Sequence, residues 1–258
     1  TDLMERCPFC AHEVHDPRAR FCPACGRKLY GADDPAGPGA AVPLADAFLR
    51  RLQHRLKEEH PGSDFTRLAE HFYASGFRDM LAQQQEEYLL PPGEAFWEDA
   101  LDTFIIYFGR EVLAHALPEA ILRYQGKRKE EIHLQTMIWD FLAPAEEQDR
   151  FYRDMTQMPL EVLQNASRFF LTPMPRERIY LLCDQSILAN GQEGFAFTDL
   201  ALYWKAYLHS ARRVAYADIE EVSRKKSWLL INGHFFDGGS GLNAKLMRLL
   251  NKLARLYQ

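Results

Sequence analysis

Four of the five cysteines lie within the first 25 residues, in two C-x-x-C pairs. The first pair is Cys7 and Cys10, the second is Cys22 and Cys25, and eleven residues separate the pairs. Each pair forms a tight turn that directs two thiolates at one point, and two such turns supply the four soft ligands that tetrahedral Zn²⁺ prefers. Since four thiolates complete the coordination shell, the spacing predicts one structural zinc ion without an open position for a substrate.

Other interpretations of these residues are weaker. Two disulfides would require an oxidising compartment, which nothing in the sequence indicates, and two pairs together favour metal binding over a redox-active C-x-x-C. His12 and His15 lie between the pairs and are alternative ligands, but four thiolates already fill the shell, so we expect surface histidines. A segment of about 25 residues cannot bury a core alone, so zinc is expected to fold it.

The two cysteine turns read C-P-F-C and C-P-A-C-G, and they resemble the knuckles of the zinc-ribbon family, C-P-x-C and C-P-x-C-G. All four ligand positions match, and the resemblance covers residues 5–30. It implies a zinc-ribbon domain, which we place at 1–30. Residues 31–43 follow with three Gly, three Pro and four Ala, a composition that disfavours any periodic element and predicts a flexible linker.

The net charge of −5 is unevenly distributed over the 258 residues. Residues 1–30 carry +1, residues 31–175 carry −10 and residues 176–258 carry +4. The acidic middle repels nucleic acid and anionic membranes, and the basic end is weaker than the stripe of a dedicated DNA-binding protein. No apolar run approaches the roughly 20 residues of a membrane span, and the first residues show no signal-peptide core, so we expect a cytoplasmic protein.

Residues 44–175 are predicted to form an α-helical domain of about five to seven helices. A first apolar stripe should end at His60-Pro61-Gly62, and a second helix, capped by Ser63 or Asp64, should continue to just before Pro91. A third, from about Glu94 through Leu117, is apolar nearly all round and therefore belongs in the centre of a bundle, although its aromatic middle alone would also fit a strand. The first stripe consists of Leu44, Phe48, Leu52 and Leu56.

After a proline-rich loop, the pattern changes to strands. Short β-rich runs over 179–183, 194–205, 213–222 and 227–236 are separated by turn signals such as Asn232-Gly233. A final amphipathic helix carries leucines on one side and basic residues largely on the other, at Lys245, Arg248, Lys252 and Arg255. Consecutive antiparallel strands closed by one helix predict a small bent sheet or barrel with a helical plug.

Two segments of this region resemble strands of the pleckstrin-homology/GRAM superfamily. Residues 194–204 read G-F-A-F-T-D-L-A-L-Y-W, and residues 214–222 read V-A-Y-A-D-I-E-E-V. The resemblance covers residues 176–258 and implies an antiparallel β domain whose C-terminal helix covers one end of a barrel. It implies a binding platform for proteins or lipid headgroups and does not imply an enzyme.

Lipid-binding members of that family use a basic loop. The candidates for binding anionic lipid here are Arg224, Lys225 and Lys226, with a second basic patch at Arg212-Arg213. Only three basic residues are consecutive, and two glutamates precede them, which favours a plain solvated hairpin over a lipid-binding loop.

Three further features carry weaker signals. The glycine-rich turn 238–241 precedes the last helix, as phosphate-binding turns do, but the P-loop spacing is absent and a flexible loop is favoured. Glu130 and His133 have the i, i+3 spacing of di-iron bundles without the second pair, which favours a solvated helix face. Cys183 lies in an apolar strand and is expected to be a buried thiol.

Taken together, these patterns predict an α+β multidomain protein: zinc ribbon 1–30, linker 31–43, helical domain 44–175 and pleckstrin-homology/GRAM-like domain 176–258. No G-x-S-x-G or H-E-x-x-H motif is present, so we expect no enzyme. We expect a cytoplasmic, bacterial-type adaptor or scaffold that binds zinc and mediates protein–protein interaction. The alternatives are a nucleic-acid-associated zinc-ribbon protein, a peripheral membrane sensor that uses the C-terminal module, and an enzyme whose site lies in the helical bundle.

Overall fold

A computed structural model of the chain describes residues 44–87, 93–144 and 150–258, together with two short strands nearer the start. These strands, β1 (Glu5–Arg6) and β2 (Glu13–Val14), pair antiparallel. The predicted zinc ligands Cys7, Cys10, Cys22 and Cys25, the histidines His12 and His15, and the linker 31–43 lie outside the described residues. The chain divides into two compact units, Thr1–Arg51 and Leu52–Gln258.

Six α-helices lie in the described part of residues 44–175, within the expected range. They are α1 (Leu44–Glu59), α2 (Phe65–Ala74), α3 (Phe77–Glu87), α4 (Glu94–Phe108), α5 (Leu134–Leu142) and α6 (Leu160–Phe169). Two 3-10 helices, Glu119–Tyr124 and Lys129–Glu131, lie between α4 and α5. The start of α2 confirms one of the two predicted caps, because the Asp64 side chain accepts a hydrogen bond from the Arg67 N–H at 3.1 Å.

Two helix boundaries differ from the prediction. The single helix expected between residue 64 and Pro91 was wrong: α2 and α3 are separate, because Gly76 takes a left-handed φ of +74° between them. The helix expected to continue through Leu117 ends at Phe108, where the Gly109 N–H donates to the Ile105 carbonyl at 2.8 Å. Leu117 is still buried, so its apolar character reflects core packing beyond the end of the helix.

The described strands of 150–258 form two antiparallel sheets followed by α7 (Asn243–Tyr257). The five-stranded sheet has the order β3 (Phe151–Tyr152), β4 (Ile179–Asp184), β5 (Gly194–Thr198), β6 (Ala201–Lys205) and β7 (Arg212–Ala215). The three-stranded sheet contains β8 (Val222–Lys225), β9 (Trp228–Ile231) and β10 (His234–Phe236). The α+β class and the closing helix are confirmed, whereas the short strand β3 was not predicted.

The five-stranded sheet is buried on both faces. On one face, the rings of Phe195 and Trp204 pack on Phe236 of the three-stranded sheet, with centroids 5.6 and 5.7 Å apart. Alternate residues point the other way, as the pleat requires, and meet α6. That second contact is an apolar cluster of Met158, Val162, Ala166, Phe170, Leu171, Leu182, Ala196, Ala201 and Tyr203. Helix α6 and the sheet therefore share one core.

The predicted hairpin between β9 and β10 is confirmed. Asn232 and Gly233 have φ values of +48° and +77°, the left-handed conformation that a two-residue hairpin turn of this type needs. The Asn232 side chain also accepts hydrogen bonds from the N–H groups of Glu220 and Glu221, at 2.9 and 3.1 Å. The turn residue thus ties this hairpin to the segment that precedes β8.

Candidate functional sites

The basic residues of α7 bind partners within the protein; Arg248 is buried, and Lys245, Lys252 and Arg255 are half-buried. Arg248 is only 2% exposed, and its Nε and Nη2 donate to the two carboxylate oxygens of Asp102 on α4 at 3.0 and 2.8 Å. Arg55 on α1 contacts the same carboxylate and donates to Glu59 at 3.0 Å. This two-pronged pairing of a guanidinium with a carboxylate is the strong, geometrically specific form of a charged hydrogen bond.

Glu98 and Arg255 complete a charged cluster of three cations and three anions. Glu98 forms ion pairs with Arg255 and with Arg248, the latter at 3.6 Å, and Arg248 also lies 3.8 Å from Glu59. Burial alone would raise the pKa of Asp102, but the guanidinium groups of Arg248 and Arg55 lower that pKa below its ordinary value. We call Arg55, Glu59, Glu98, Asp102, Arg248 and Arg255 the charged cluster. Because its acidic and basic groups pair with each other, we infer that the charged cluster fixes the positions of α1, α4 and α7.

The two lysines of the same stripe also have internal partners. Lys245 donates to the carbonyl of Leu142 at 2.9 Å, at the end of α5, and Lys252 donates to the carbonyl of Tyr124 at 2.8 Å. Cations at the carbonyl ends of helices are favourable because those carbonyls lack intrahelical partners. Lys245 therefore binds the carbonyl end of α5, and it does not act with the glycine-rich turn as a phosphate ligand.

A cavity of about 350 Å³ opens next to the charged cluster. It lies between the end of α1, the loop after α4, the β8–β9 hairpin and the first turn of α7, and we call it the α7 cavity. Its polar lining includes Glu59, His60, Ser63, His115, Arg224 and Lys226, with further hydroxyls from Ser227 and Ser240. Four of these side chains carry an imidazole or a cationic group, so the cavity offers polar groups to a ligand.

His60 is a buried residue of this lining, at 6% exposure. Among the described residues, no group forms a hydrogen bond with its Nε2. Burial is the main cause that lowers the pKa of His60 to about 4; Glu59 raises it, whereas Arg55, Arg224 and His115 lower it further. The imidazole is therefore neutral at physiological pH, and a buried polar atom without a partner is the kind of feature that a ligand satisfies.

The predicted lipid-binding triplet does not form one patch. Arg224 turns toward the end of α1, where its Nε donates to the carbonyl of Glu58 at 2.5 Å and its Nη2 to that of Glu59 at 3.1 Å. Lys225 is exposed. Lys226 lines the α7 cavity, and its backbone has a left-handed φ of +59°. The three consecutive basic residues therefore have three different surroundings.

Two loops at one end of the five-stranded sheet present large apolar side chains to solvent. Ile187 and Leu188, between β4 and β5, are 80% and 79% exposed; Tyr207 and Leu208, between β6 and β7, are 64% and 86% exposed. The antiparallel order places both loops at the same end of the sheet, because β4 and β6 run in the same direction. We call these four residues the apolar loop tips.

The bases of both loops are fixed. Buried Ser186 donates to Asp184 at 2.5 Å, and its oxygen accepts from the N–H groups of Asn190 and Gly191 at 2.8 and 3.1 Å. In the second loop, the ring of His209 stacks on Phe235, with centroids 4.5 Å apart. Solvent exposure of the tips is therefore imposed by a defined framework beneath them.

The remaining candidates from the sequence have structural roles. Cys183 is buried, as predicted, and burial raises the pKa of its thiol, which leaves it unreactive. His133 caps α5 by accepting from the Thr136 N–H at 3.4 Å, while Glu130 is exposed. Within 44–87, 93–144 and 150–258, no group of three or more His, Cys, Asp or Glu side chains is placed to hold a metal ion.

Sequence reasoning did not find the charged cluster or His60. The cluster left one signal, an aspartate at 102 within a helix that is apolar nearly all round, since such a residue needs an internal partner. His60 left none beyond its place in a helix-stopping His-Pro-Gly run.

Comparison of the chain with models of protein families, with curated proteins and with solved structures finds no match. Across the part of the chain that the structure describes, no helix has both the length and the apolar character needed to cross a membrane.

Proposed function

We propose that this chain is a non-enzymatic, zinc-binding adaptor that mediates protein–protein interaction. The apolar loop tips are the observation that carries the proposal, because four large apolar side chains are held in solvent above hydrogen-bonded loop bases. Exposed apolar groups that are concentrated in one place mark interaction sites. The buried charged cluster, by contrast, pairs its acids and bases with each other and offers no acid–base chemistry to a substrate.

A pleckstrin-homology/GRAM-like domain over residues 176–258 is part of the proposal. The order of elements supports it: consecutive antiparallel strands β4–β7 are followed by β8–β10 and by the closing helix α7. The loop tips belong to this strand region. The proposed domain is thus a platform that presents loops.

A zinc ribbon over residues 1–30 is the second recognition element of the proposal. The donor set supports it, since the four thiolates of Cys7, Cys10, Cys22 and Cys25 match a closed structural site. The antiparallel pairing of β1 with β2 supports it too, because the first cysteine pair falls in the segment between these strands. Zinc would supply folding free energy to this segment, and no catalytic step is assigned to it.

The zinc assignment predicts the metal content of one variant. Replacing Cys22→Ser and Cys25→Ser together removes two of the four ligands, so bound zinc should fall from one ion per chain to none after dialysis. Elemental analysis by mass spectrometry measures this, with Cys183→Ser as the control that keeps the metal. A double variant that retains a full equivalent of zinc would contradict the assignment.

The partner that fits the loop tips is a protein surface with apolar side chains flanked by carboxylates. Two exposed arginines border the tips: Arg150, whose Nη1 donates to the Ser186 carbonyl at 2.8 Å, and Arg212, at the start of β7. Two cations are fewer than the roughly four to eight that typify binding to anionic lipid. The −10 charge of residues 31–175 also disfavours membranes and nucleic acid.

Three full-length proteins test the adaptor proposal: wild type, a tip variant and a matched control. The tip variant is Ile187→Ser/Leu188→Ser/Leu208→Ser. The control is Tyr73→Ser/Tyr107→Ser, which removes rings that are 55% and 57% exposed on α2 and α4. Each protein is used to capture partners from its native lysate, and every captured protein is purified and titrated directly.

We expect a directly binding protein whose affinity falls about tenfold or more in the tip variant and is unchanged in the control. A partner that binds all three proteins equally would contradict the role of the tips. Flotation of wild type, but not of the tip variant, with anionic vesicles and without any protein partner would replace the adaptor proposal with a membrane one.

A further inference from the structure

We propose that the α7 cavity binds a small, soluble phosphate monoester, whose phosphate is held by Lys226, His115 and the first turn of α7. This inference is independent of the adaptor proposal, because the cavity is built by the end of α1, the β8–β9 hairpin and α7, and the apolar loop tips do not line it. It assigns a ligand class to a site that carries no other role in the protein.

The charge of the lining favours an anion. Arg224, Lys226 and His115 line the cavity, and the only acidic side chain in the described lining is Glu59. Glu59 does not oppose an anion strongly, because its carboxylate already accepts from Arg55 at 3.0 Å and lies 3.8 Å from Arg248. The surplus of positive charge is therefore available to a ligand.

The start of α7 adds hydrogen-bond donors. The helix begins at Asn243 without a side-chain cap, and Ala244 in its first turn lines the cavity. The Asn243 N–H donates to the Gly239 carbonyl at 3.0 Å, but the N–H groups that follow in a first helical turn lack intrahelical acceptors and favour anions such as phosphate. Ser227 and Ser240 place hydroxyl groups in the same lining, and a Cβ at Gly239 or Gly241 would meet nothing within 4 Å, so the turn leaves space beside them.

His60 is the independent sign that the cavity takes a ligand. Its side chain lines the cavity and is 94% buried, yet its Nε2 has no hydrogen-bond partner among the described residues. A buried polar atom without a hydrogen-bond partner destabilises the protein. A polar ligand that enters the cavity and forms a hydrogen bond with His60 removes this cost, in addition to its attraction to the cations of the lining.

The walls are braced before any ligand arrives. Fully buried Asn243 accepts from the Gly238 N–H at 2.9 Å and donates to the Ser227 carbonyl at 2.8 Å, which joins the glycine-rich turn to the β8–β9 hairpin. Gly238 itself has no room for a side chain, since a Cβ would lie 2.0 Å from Leu246. A preformed site binds its ligand without an ordering cost.

The volume suits a phosphate with a small organic group. At about 350 Å³, the cavity lies at the lower end of the range for ligand pockets. Phosphate monoesters occur both as soluble metabolites and as lipid headgroups, so the test needs one arm for each source. The lining includes charged and hydroxyl side chains and none of the apolar loop tips, which favours the soluble source.

The experiment titrates the full-length protein with inorganic phosphate and with ribose 5-phosphate by calorimetry, and adds vesicles of phosphatidylcholine with phosphatidic acid in a flotation assay. The test variant is Lys226→Ala/His115→Ala, both exposed positions. The matched control is Lys225→Ala, an exposed lysine one residue away that does not line the cavity.

We expect ribose 5-phosphate to bind with a Kd at or below about 1 mM, to weaken about tenfold or more in the test variant, and to be unaffected by Lys225→Ala. Equal weakening in the control, or no binding of either soluble probe, would overturn the proposal. A lipid headgroup would replace the soluble source if wild type and Lys225→Ala float with phosphatidic acid vesicles, the test variant does not, and neither soluble probe binds.

A second readout uses the unmodified protein. The ring resonances of His60 and His115 should shift on addition of ribose 5-phosphate, while most of the nine histidines should not. Assignment comes from His60→Gln and His115→Ala. If other resonances shift and those of the His60 ring do not, a ligand that contacts His60 is contradicted.

Discussion

Two of the contacts that hold helices in place within Leu52–Gln258 use opposite chemistry. Helix α6 packs on the five-stranded sheet through apolar side chains, whereas α4 meets α7 through the charged cluster. An apolar contact tolerates changes of shape and does not depend on pH. A buried ionic contact is favourable only while every partner is present, because a single unpaired charge is very costly. We infer that the first contact supplies stability and the second fixes position.

The position of α7 matters for function because its first turn forms one wall of the α7 cavity. The contacts of α7 also account for part of the positive charge of residues 176–258. Four cations, at Lys245, Arg248, Lys252 and Arg255, bind partners within the protein. We propose the loop tips, the α7 cavity and the zinc ribbon as the recognition sites.

The largest effect is expected when the charged cluster loses its central anion. Asp102→Ala removes the carboxylate that pairs with the buried guanidinium groups of both Arg248 and Arg55. The free energy of unfolding should therefore fall by about 3–5 kcal/mol. Urea unfolding at pH 7 measures it. The apolar double variant Asp102→Leu/Arg248→Met should be more stable than Asp102→Ala alone. A double variant as unstable as the sum of its single changes would show that charge is not the cause.

Acid should weaken the protein through His60, beside the charged cluster. The folded-state pKa is about 4 and the ordinary value is 6.5, so between these pH values the unfolded chain binds a proton that the folded chain does not. The free energy of unfolding therefore decreases as pH falls from 6.5 to 4, by about 3 kcal/mol in all. His60→Gln should reduce this slope in urea unfolding at pH 7 and pH 4.5. Identical slopes in both proteins would contradict a neutral, buried His60.

The apolar contact should respond less, and without pH dependence. Val162→Ala on α6 removes two methyl groups from the cluster against Leu182 and Ala196, at a cost of about 2 kcal/mol. The loss should be the same at pH 7 and pH 4.5, since the one titratable side chain of that cluster, Tyr203, has a pKa raised above its ordinary value of 10 and stays neutral at both pH values. A loss that grows in acid would show that the two contacts are coupled.

The smallest effect is expected for a charge pair of the same kind at the surface. Arg67 and Glu111 pair at 3.1 Å, but their side chains are 50% and 79% exposed. Water and salt screen such a pair, so Arg67→Ala should change the free energy of unfolding by at most about 1 kcal/mol. A loss as large as that of Asp102→Ala would mean that burial does not separate the two cases.

Local signals in the sequence predict much of the strand region. The left-handed turn at Asn232-Gly233 and the β-rich runs around it depend on neighbouring residues alone, and the structure confirms them. Helix ends were harder, because Gly76 breaks a helix that the apolar pattern continues through. The short strand β3 could not be predicted, because it is defined only by its pairing with β4, a contact between residues distant in sequence.

The candidate sites show the same division. That the basic residues of α7 bind partners within the protein could not be read from its amphipathic pattern, because Arg248 meets Asp102 across 146 positions of sequence. The cavity combines four separate segments, so only the fold assembles it. The zinc ligands are the opposite case, since four cysteines at fixed spacing carry their chemistry in the sequence itself.

Hydrogen exchange tests most directly whether the two contacts have separate roles. Wild type, Asp102→Ala and Val162→Ala are compared by mass spectrometry at pH 7. Asp102→Ala should accelerate exchange most in α4 and α7, including the cavity wall, whereas Val162→Ala should do so most in α6 and β4–β6. If both variants accelerate exchange in the same elements to the same extent, the charged cluster has no positioning role of its own, and the comparison fails.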